Sequence, residues 1–349
     1  MNSHLSREIH EQPEVLARLL DERAGIAARI AAAIRARDVR YAVIAARGTS
    51  DNAARYAQYL FGALNRLPVA LATPSLFGIY RTPPQLRDAL VMGVSQSGQS
   101  PDIVAVVEEG RRQGALTVAV TNAPTSPLAL AADHVLPLGA GEEQAVAATK
   151  TYTAQLAALA LLAVQLASDA ERKERLGELW RMPEAMEKTL ALDETIAMAA
   201  QRYAYAAECV VLGRGYNYAT AFEIALKLKE LTYIVTEPYS SADFRHGPVA
   251  IVERGFPAVV VAPHGAVYPD VLALARELST REAELIVISG QDEALRLART
   301  PLRLPAALPE WLSPFTCVVP GQLLALHVTR AKGYDPDHPR GLKKVTETQ

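Results

Sequence analysis

Cysteine is scarce in this chain, with two in 349 residues, Cys209 and Cys317, each set in an apolar run. That leaves no disulfide framework and no thiolate metal site, and two buried thiols fit a reducing compartment. The seven histidines include no His-x-x-x-His pair and none at ligand spacing from a cysteine, which argues against a metal. Charge of one sign is also lacking. A formal charge of −2 offers no electrostatic footprint for nucleic acid or an anionic membrane. Long hydrophobic runs are missing as well: the most apolar stretch, Ala154 to Ala167, is interrupted by Gln155 and Gln165 and is too short to span a bilayer. The start, MNSHLSREIHEQ, has no signal-peptide apolar centre. These absences predict a cytoplasmic chain with no metal or cofactor and no nucleic-acid or membrane partner.

Half of the residues are hydrophobic, so a chain of this length can bury two cores. Its two halves share one spelling. Arg47-Gly48, between an apolar run and a helical pattern, returns as Arg214-Gly215 in the same setting. At the same offset VMGVSQSG is answered by VVVAPHG, and Gln155-Leu-Ala-Ala-Leu by Gln322-Leu-Leu-Ala-Leu. A third strand pair, LTVAVTN and LIVISGQ, departs by a small insertion. Several landmarks at one offset argue for internal duplication.

Within each half, short continuous apolar strands alternate with helical patterns, the mark of a parallel sheet covered on both faces. The expected fold is α/β, two tandem doubly wound parallel-sheet domains of flavodoxin-like order. An amphipathic helical segment, 1–38, with Leu16, Leu19 and Leu20 on one stripe, precedes a first domain at 39–170. A charged helical connection at 171–200 leads to a second domain at 201–335. The end, 336–349, has two prolines and no apolar periodicity and reads by composition as a loose tail.

In open parallel sheets, ligands bind beyond the carboxyl ends of the strands. Ser95-Gln96-Ser97-Gly98-Gln99-Ser100-Pro101 follows one such strand. It is either a Ser-rich helix cap, with Ser100 capping, or a phosphate cradle without lysine, and the two readings are compatible. Arg47-Gly48-Thr49-Ser50 offers Ser50 to a sugar or phosphate oxygen, or to a helix start. Gly213-Arg214-Gly215 lacks the third glycine of a dinucleotide fingerprint, so no nicotinamide cofactor is expected. Glu142 to Lys150, on its own, reads as a helix start with acids in the first turn. Glu223, Lys227 and Glu230 fall on one helix face, beside an apolar stripe of Ile224, Leu228 and Leu231. By the usual fate of such charges they form a solvated salt-bridge ladder. His246 lies in a loop with no evident task. A carboxylate and a histidine are nonetheless the groups that aldose–ketose proton transfer and ring opening require.

Taken together, RGTSDNAARYAQYLF, SQSGQSPDI, AVAATKTYTAQL, LGRGYNYATAFEIALKLKELTYI, EPYSSADFRHGPVAIV and DPDHPRGLKKVT resemble the sugar isomerase (SIS) family from about residue 35 onward. Within it they resemble the isomerase half of glucosamine-6-phosphate synthases and, most closely, stand-alone SIS-type glucosamine-6-phosphate deaminases. The resemblance implies a phosphate grip by Ser95, Gln96, Ser97 and Ser100, with Ser50 and the backbone near Val146 and Ala148 on the sugar. It implies Glu230 as the acid/base between C1 and C2, Lys227 beside it, and His246 opening the ring from the partner subunit of a homodimer. Lys344 becomes the lysine that engages a keto-sugar, and the tail becomes a lid. Arg47 and Ala148 stand where the synthase pattern has a cysteine and a serine. No glutamine-hydrolysing half is present in this sequence, so the expected direction is release of ammonia from glucosamine-6-phosphate, giving fructose-6-phosphate. The alternatives are a plain isomerase, a fructosyl-amine phosphate deglycase, and a non-catalytic sugar-phosphate sensor.

Overall fold

The apolar runs become two five-stranded parallel sheets in a computed structural model that describes residues 3–305 and 307–344. The first sheet holds β1 (Tyr41–Ala45), β2 (Val69–Leu71), β3 (Ala89–Ser95), β4 (Leu116–Thr121) and β5 (His134–Pro137), in the order β2-β1-β3-β4-β5. The second holds β6 (Glu208–Gly213), β7 (Val235–Ser240), β8 (Pro257–Val261), β9 (Glu284–Ser289) and β10 (Thr300–Arg303), in the order β10-β9-β8-β6-β7. Every strand pair is parallel. Started from its second strand, the later sheet repeats the order of the first, so the duplicated spelling is a duplicated topology. β3, β4 and β8 are buried along their whole length, which explains their unbroken Val, Leu, Ala and Met content. In this order the chain leaves β1 and β3 in opposite directions, and the crevice at that switch point is where doubly wound sheets hold ligands.

The chain divides into two compact units, one around each sheet. The first-sheet unit comprises 14–143, 150–180 and, at the described C-terminus, 343–344. The second-sheet unit takes 3–13, 144–149 and 181–342. The N-terminal helical segment is two helices, His4–His10 and Gln12–Arg35. Pro13 sits in the first turn of the second of these, where its missing N–H costs no helical hydrogen bond. The connecting segment is likewise structured. Its helices Met182–Leu190 and Asp193–Ala200 pack on the Ser313–Ala331 helix and bury Met182, Met186 and Ile196.

Among the described residues one helix, Glu310–Ala331, is long and apolar enough to cross a membrane, and 94% of its most apolar window is buried inside the protein. It packs along the Asn217–Thr232 helix, where a Cβ on Gly321 would come within 2.3 Å of Ile224 Cγ1. The tail, as far as it is described, is not loose. The Asp337 carboxylate accepts from the backbone N–H groups of His4 and Leu5, at 2.8 and 2.9 Å, and so caps the first helix. The Arg340 guanidinium lies 3.8 Å from the Tyr233 ring centroid, and the Arg340 N–H donates to the Tyr233 hydroxyl at 2.7 Å. Residues 345–349, on which part of the lid expectation falls, lie outside the described residues. Both cysteines are free and buried. Burial pushes the Cys209 thiol up to about 12 and raises that of Cys317 as well, so neither is a nucleophile at neutral pH.

Candidate active-site groups

The loop after β3 is built as a cradle. The Ser95 hydroxyl accepts from the Gly98 N–H at 3.0 Å, and that of Ser97 from the Gln99 N–H at 3.3 Å. With their acceptor side in use, both hydroxyls are set to donate outward. The carbonyl of Gln96 accepts from the Asn122 N–H and the Thr121 hydroxyl, which ties the loop to the end of β4. Gly98 has φ +64°, and a Cβ there would lie 2.0 Å from the Ser126 hydroxyl oxygen, so only glycine fits this turn. Ser100 occupies the N-cap position of the Pro101–Arg112 helix, yet its side chain makes no capping bond. The N–H groups of Ser97 and Ser100 and the side chain of Gln96 likewise have no partner among the described residues. Of the two readings of this loop, the cap accounts for the position of Ser100 and leaves its hydroxyl uncommitted. Open donors at a helix N-terminus form an anion site.

Across the switch point, Ser50 lies within the first turn of the Gly48–Asn65 helix and is not its cap; that position belongs to Arg47. The nearly buried Ser50 hydroxyl accepts from Gln155 Nε2 at 2.8 Å and can therefore donate its own proton. Arg47 reaches over to the β3 loop and pairs through two nitrogens with Asp102, each at 2.8 Å. Burial raises the Asp51 carboxyl, against the opposing pull of Arg55 and Arg47.

The Glu142–Lys150 reading is corrected. The helix begins at Lys150 with no acid in its first turn. Glu143, its side chain fully buried, accepts from the Thr151 N–H at 3.1 Å and its hydroxyl at 2.7 Å, and pairs with the Lys344 ammonium at 2.8 Å. Residues 144–149 form an irregular strap with bends at 145–147 and 149. In the second-sheet unit the buried Glu8 carboxylate accepts from the N–H groups of Gln144 and Ala145 and pins the strap's start. Burial alternates along it: Ala145, Ala147 and Thr149 face inward, whereas Val146 and Ala148 are half-buried, with N–H groups unpartnered among the described residues.

The charged face of the Asn217–Thr232 helix is not a solvated ladder, contrary to expectation. Glu223 and Lys227 have side chains 0% and 1% exposed, and Glu230 is 24% exposed. Lys227 Nζ lies 2.6 Å from Glu230 Oε2 and 3.5 Å from Glu223 Oε1. Moving such ions out of water costs several kcal/mol each, so the cluster is held together by its own pairing. His246 ends the short Ser241–Arg245 helix, is exposed, and has no side-chain partner among the described residues. Its neighbour Arg245 pairs with Asp270 at 2.9 Å, and Arg214 pairs with the same carboxylate at 2.7 Å. Ser241 donates to Asp270 as well. Burial tends to raise the Asp270 carboxyl, but the bonds from Ser241, Arg214 and Arg245 outweigh it and leave it below its ordinary value.

Glu8 and Asp270 carry no signal in the sequence, and Glu143 and Gln155 enter it only as a loop acid and a repeat landmark, with no site role. Their partners lie far along the chain, and local spacing carries no signal of them. One signal was available: Glu143 and Glu310 stand at the repeat offset, as do Gln155 and Gln322.

Comparison with known proteins gives one family. A model of the SIS domain matches residues 37–165 and 203–330. The glutamine–fructose-6-phosphate aminotransferase (isomerizing) of Thermus thermophilus is 36% identical over 354 residues, covering 98% of this chain and 58% of that protein. The chain thus spans less than two thirds of the length of that curated relative. A structure from Silicibacter pomeroyi, provisionally designated a phosphosugar isomerase, is 36% identical with a TM-score of 0.85, covering 96% of this chain and 100% of that one. The C-terminal domain of glucosamine-fructose-6-phosphate aminotransferase from Francisella tularensis is 27% identical with a TM-score of 0.87, covering 97% of this chain and 99% of that one.

Proposed function

The chain belongs to the SIS domain family, and on that premise we propose that it is an amino-sugar-phosphate isomerase that converts glucosamine-6-phosphate and water to fructose-6-phosphate and ammonia. The observation that carries this reading is the buried Glu223–Lys227–Glu230 cluster. A lysine taken out of water between two carboxylates, with one of them reaching the surface, is costly as architecture and useful as proton-transfer machinery.

The roles are assigned group by group. The phosphate is held by the hydroxyls of Ser95, Ser97 and Ser100, the amide of Gln96, and the open N–H groups of the β3 loop. Ser50 and the strap N–H groups at Val146 and Ala148 bind sugar oxygens. His246, contributed by the partner subunit of a homodimer, protonates the ring oxygen as the C1–O bond opens. Glu230 removes the C2 proton and returns it to C1, and Lys227 stabilises its carboxylate form. The product is the C2 imine, which water hydrolyses to the ketone with loss of ammonia. Lys344, held by Glu143, is the amine available to exchange with that imine.

The test is ammonia release from glucosamine-6-phosphate by the purified protein, without glutamine, nucleotide or added metal. The expected outcome is stoichiometric ammonia and fructose-6-phosphate. Interconversion of glucose-6-phosphate and fructose-6-phosphate with no ammonia from any amino-sugar phosphate would replace this reading with a plain isomerase. Tight binding without turnover would replace it with a sensor.

A further inference from the structure

The second repeat has a loop equivalent to the phosphate cradle of the first. At the offset set by Arg47-Gly48 and Arg214-Gly215, His264 stands at Ser97, Gly265 at Gly98, Ala266 at Gln99 and Val267 at Ser100. Structure agrees with this alignment. Val267 is the N-cap of the Tyr268–Thr280 helix that follows β8, as Ser100 is of the helix that follows β3. Glycine is needed in both turns, at φ +64° for Gly98 and at φ +154° for Gly265, although the two conformations differ. Each loop is braced by a similar ion pair, Arg47 with Asp102 in the first repeat and Arg214 with Asp270 in the second, although Asp270 stands one residue beyond the position equivalent to Asp102.

What differs is the occupant. The Glu310 carboxylate lies in the second cradle, accepting from the Ala266 N–H at 2.8 Å and the Val267 N–H at 3.3 Å. A Cβ on Gly265 would be 2.2 Å from the Glu310 carboxyl carbon, so the loop is shaped around that group. Glu310 is the repeat counterpart of Glu143, which in the first repeat turns instead to Thr151 and Lys344. Beside it, a cleft of about 340 Å³ remains at the carboxyl ends of β8, β9 and β10, lined in part by His264, Gln291, Arg303 and Thr316.

We propose that Glu310 is an internal anion that fills a second phosphate cradle, so that each chain binds one sugar phosphate although the duplication built two loops for it. The carboxylate takes the Val267 N–H, counterpart of the open Ser100 N–H, together with the Ala266 N–H, and its charge repels a dianion. The count of one rests on the phosphate reading of the first cradle; the block on the second does not.

The experiment is calorimetric titration with inorganic phosphate of four proteins: wild type, E310A, S95A/S97A, and S95A/S97A/E310A. The expected site counts per chain are one, two, none and one, with E310A retaining basal turnover. A folded E310A that gains no site in either background overturns the proposal. A wild type with no site, beside an E310A that gains one, overturns the first-cradle reading and leaves this one standing. Should E310A fail to fold, E310S supplies the same readout, because the shorter side chain also vacates the loop.

Discussion

Lys227 and Glu230 are three residues apart on one helix and bonded to each other, yet their replacement should fail in different ways. Removing Lys227, as in Lys227→Met, leaves Glu223 buried without its cation. That costs about 3–5 kcal/mol and should lower the melting temperature steeply. Glu230→Gln keeps a hydrogen-bonding side chain at a partly exposed position and leaves Glu223 to pair with Lys227, so the melting temperature should fall less than in Lys227→Met while kcat falls by about a hundredfold or more. Thermal melts and initial rates on the two proteins check both statements. Equal rate losses with equal melts would deny Glu230 a chemical role. This cluster also marks where the sequence was least legible. A buried ladder and a solvated one have the same spacing, and spacing alone points to the solvated one because exposed charges are the usual case. The discriminating fact is that the charged face is buried along with the adjacent apolar stripe of Ile224, Leu228 and Leu231, and local periodicity does not report that.

Among elements, the strands and their order were readable because β-branched runs, Arg-Gly turns and the repeat constrain one another. The ends were not. The tail reads as loose by composition because prolines and polar residues dominate it, but its anchors, Asp337 on the first helix and Arg340 on Tyr233, are contacts between residues far apart in the chain. The Ser313–Ala331 helix carries Pro320 in its interior, which locally argues against a helix and is tolerated in a fully packed one. Asp270 offers a test at this scale, because it joins the turn after β6, the Tyr268–Thr280 helix and the short helix that ends at His246. Its carboxyl lies below the ordinary value when folded. The stabilisation is therefore present above the unfolded carboxylate pKa of about 3.9 and is lost as pH falls through the folded value. Wild type should exceed Asp270→Asn in stability by on the order of 1 kcal/mol at pH 6–8, after discounting for a pair more than a third exposed to solvent. Melting curves from pH 8 to pH 2.5 should show the gap closing only at the acid end. A gap independent of pH would assign the loss to packing.

At the scale of the whole molecule, the proposed homodimer makes a prediction that no single chain can satisfy. If His246 serves the partner's site, His246→Ala and Glu230→Gln are each inactive alone, but a hybrid dimer has one intact site. Random exchange of equal amounts should restore about a quarter of wild-type activity. Absence of recovery, with exchange shown by a labelled subunit, would place His246 in its own subunit's site. Residues 144–149 leave the first-sheet unit for the second and return, and residues 3–13 belong with the second sheet although they precede the first. Whatever ancestral gene was copied, its two descendants are no longer interchangeable cassettes. A single cut of the chain near residue 180, between the two sheets, would leave residues 3–13 and 144–149 on a different piece from the unit they pack with.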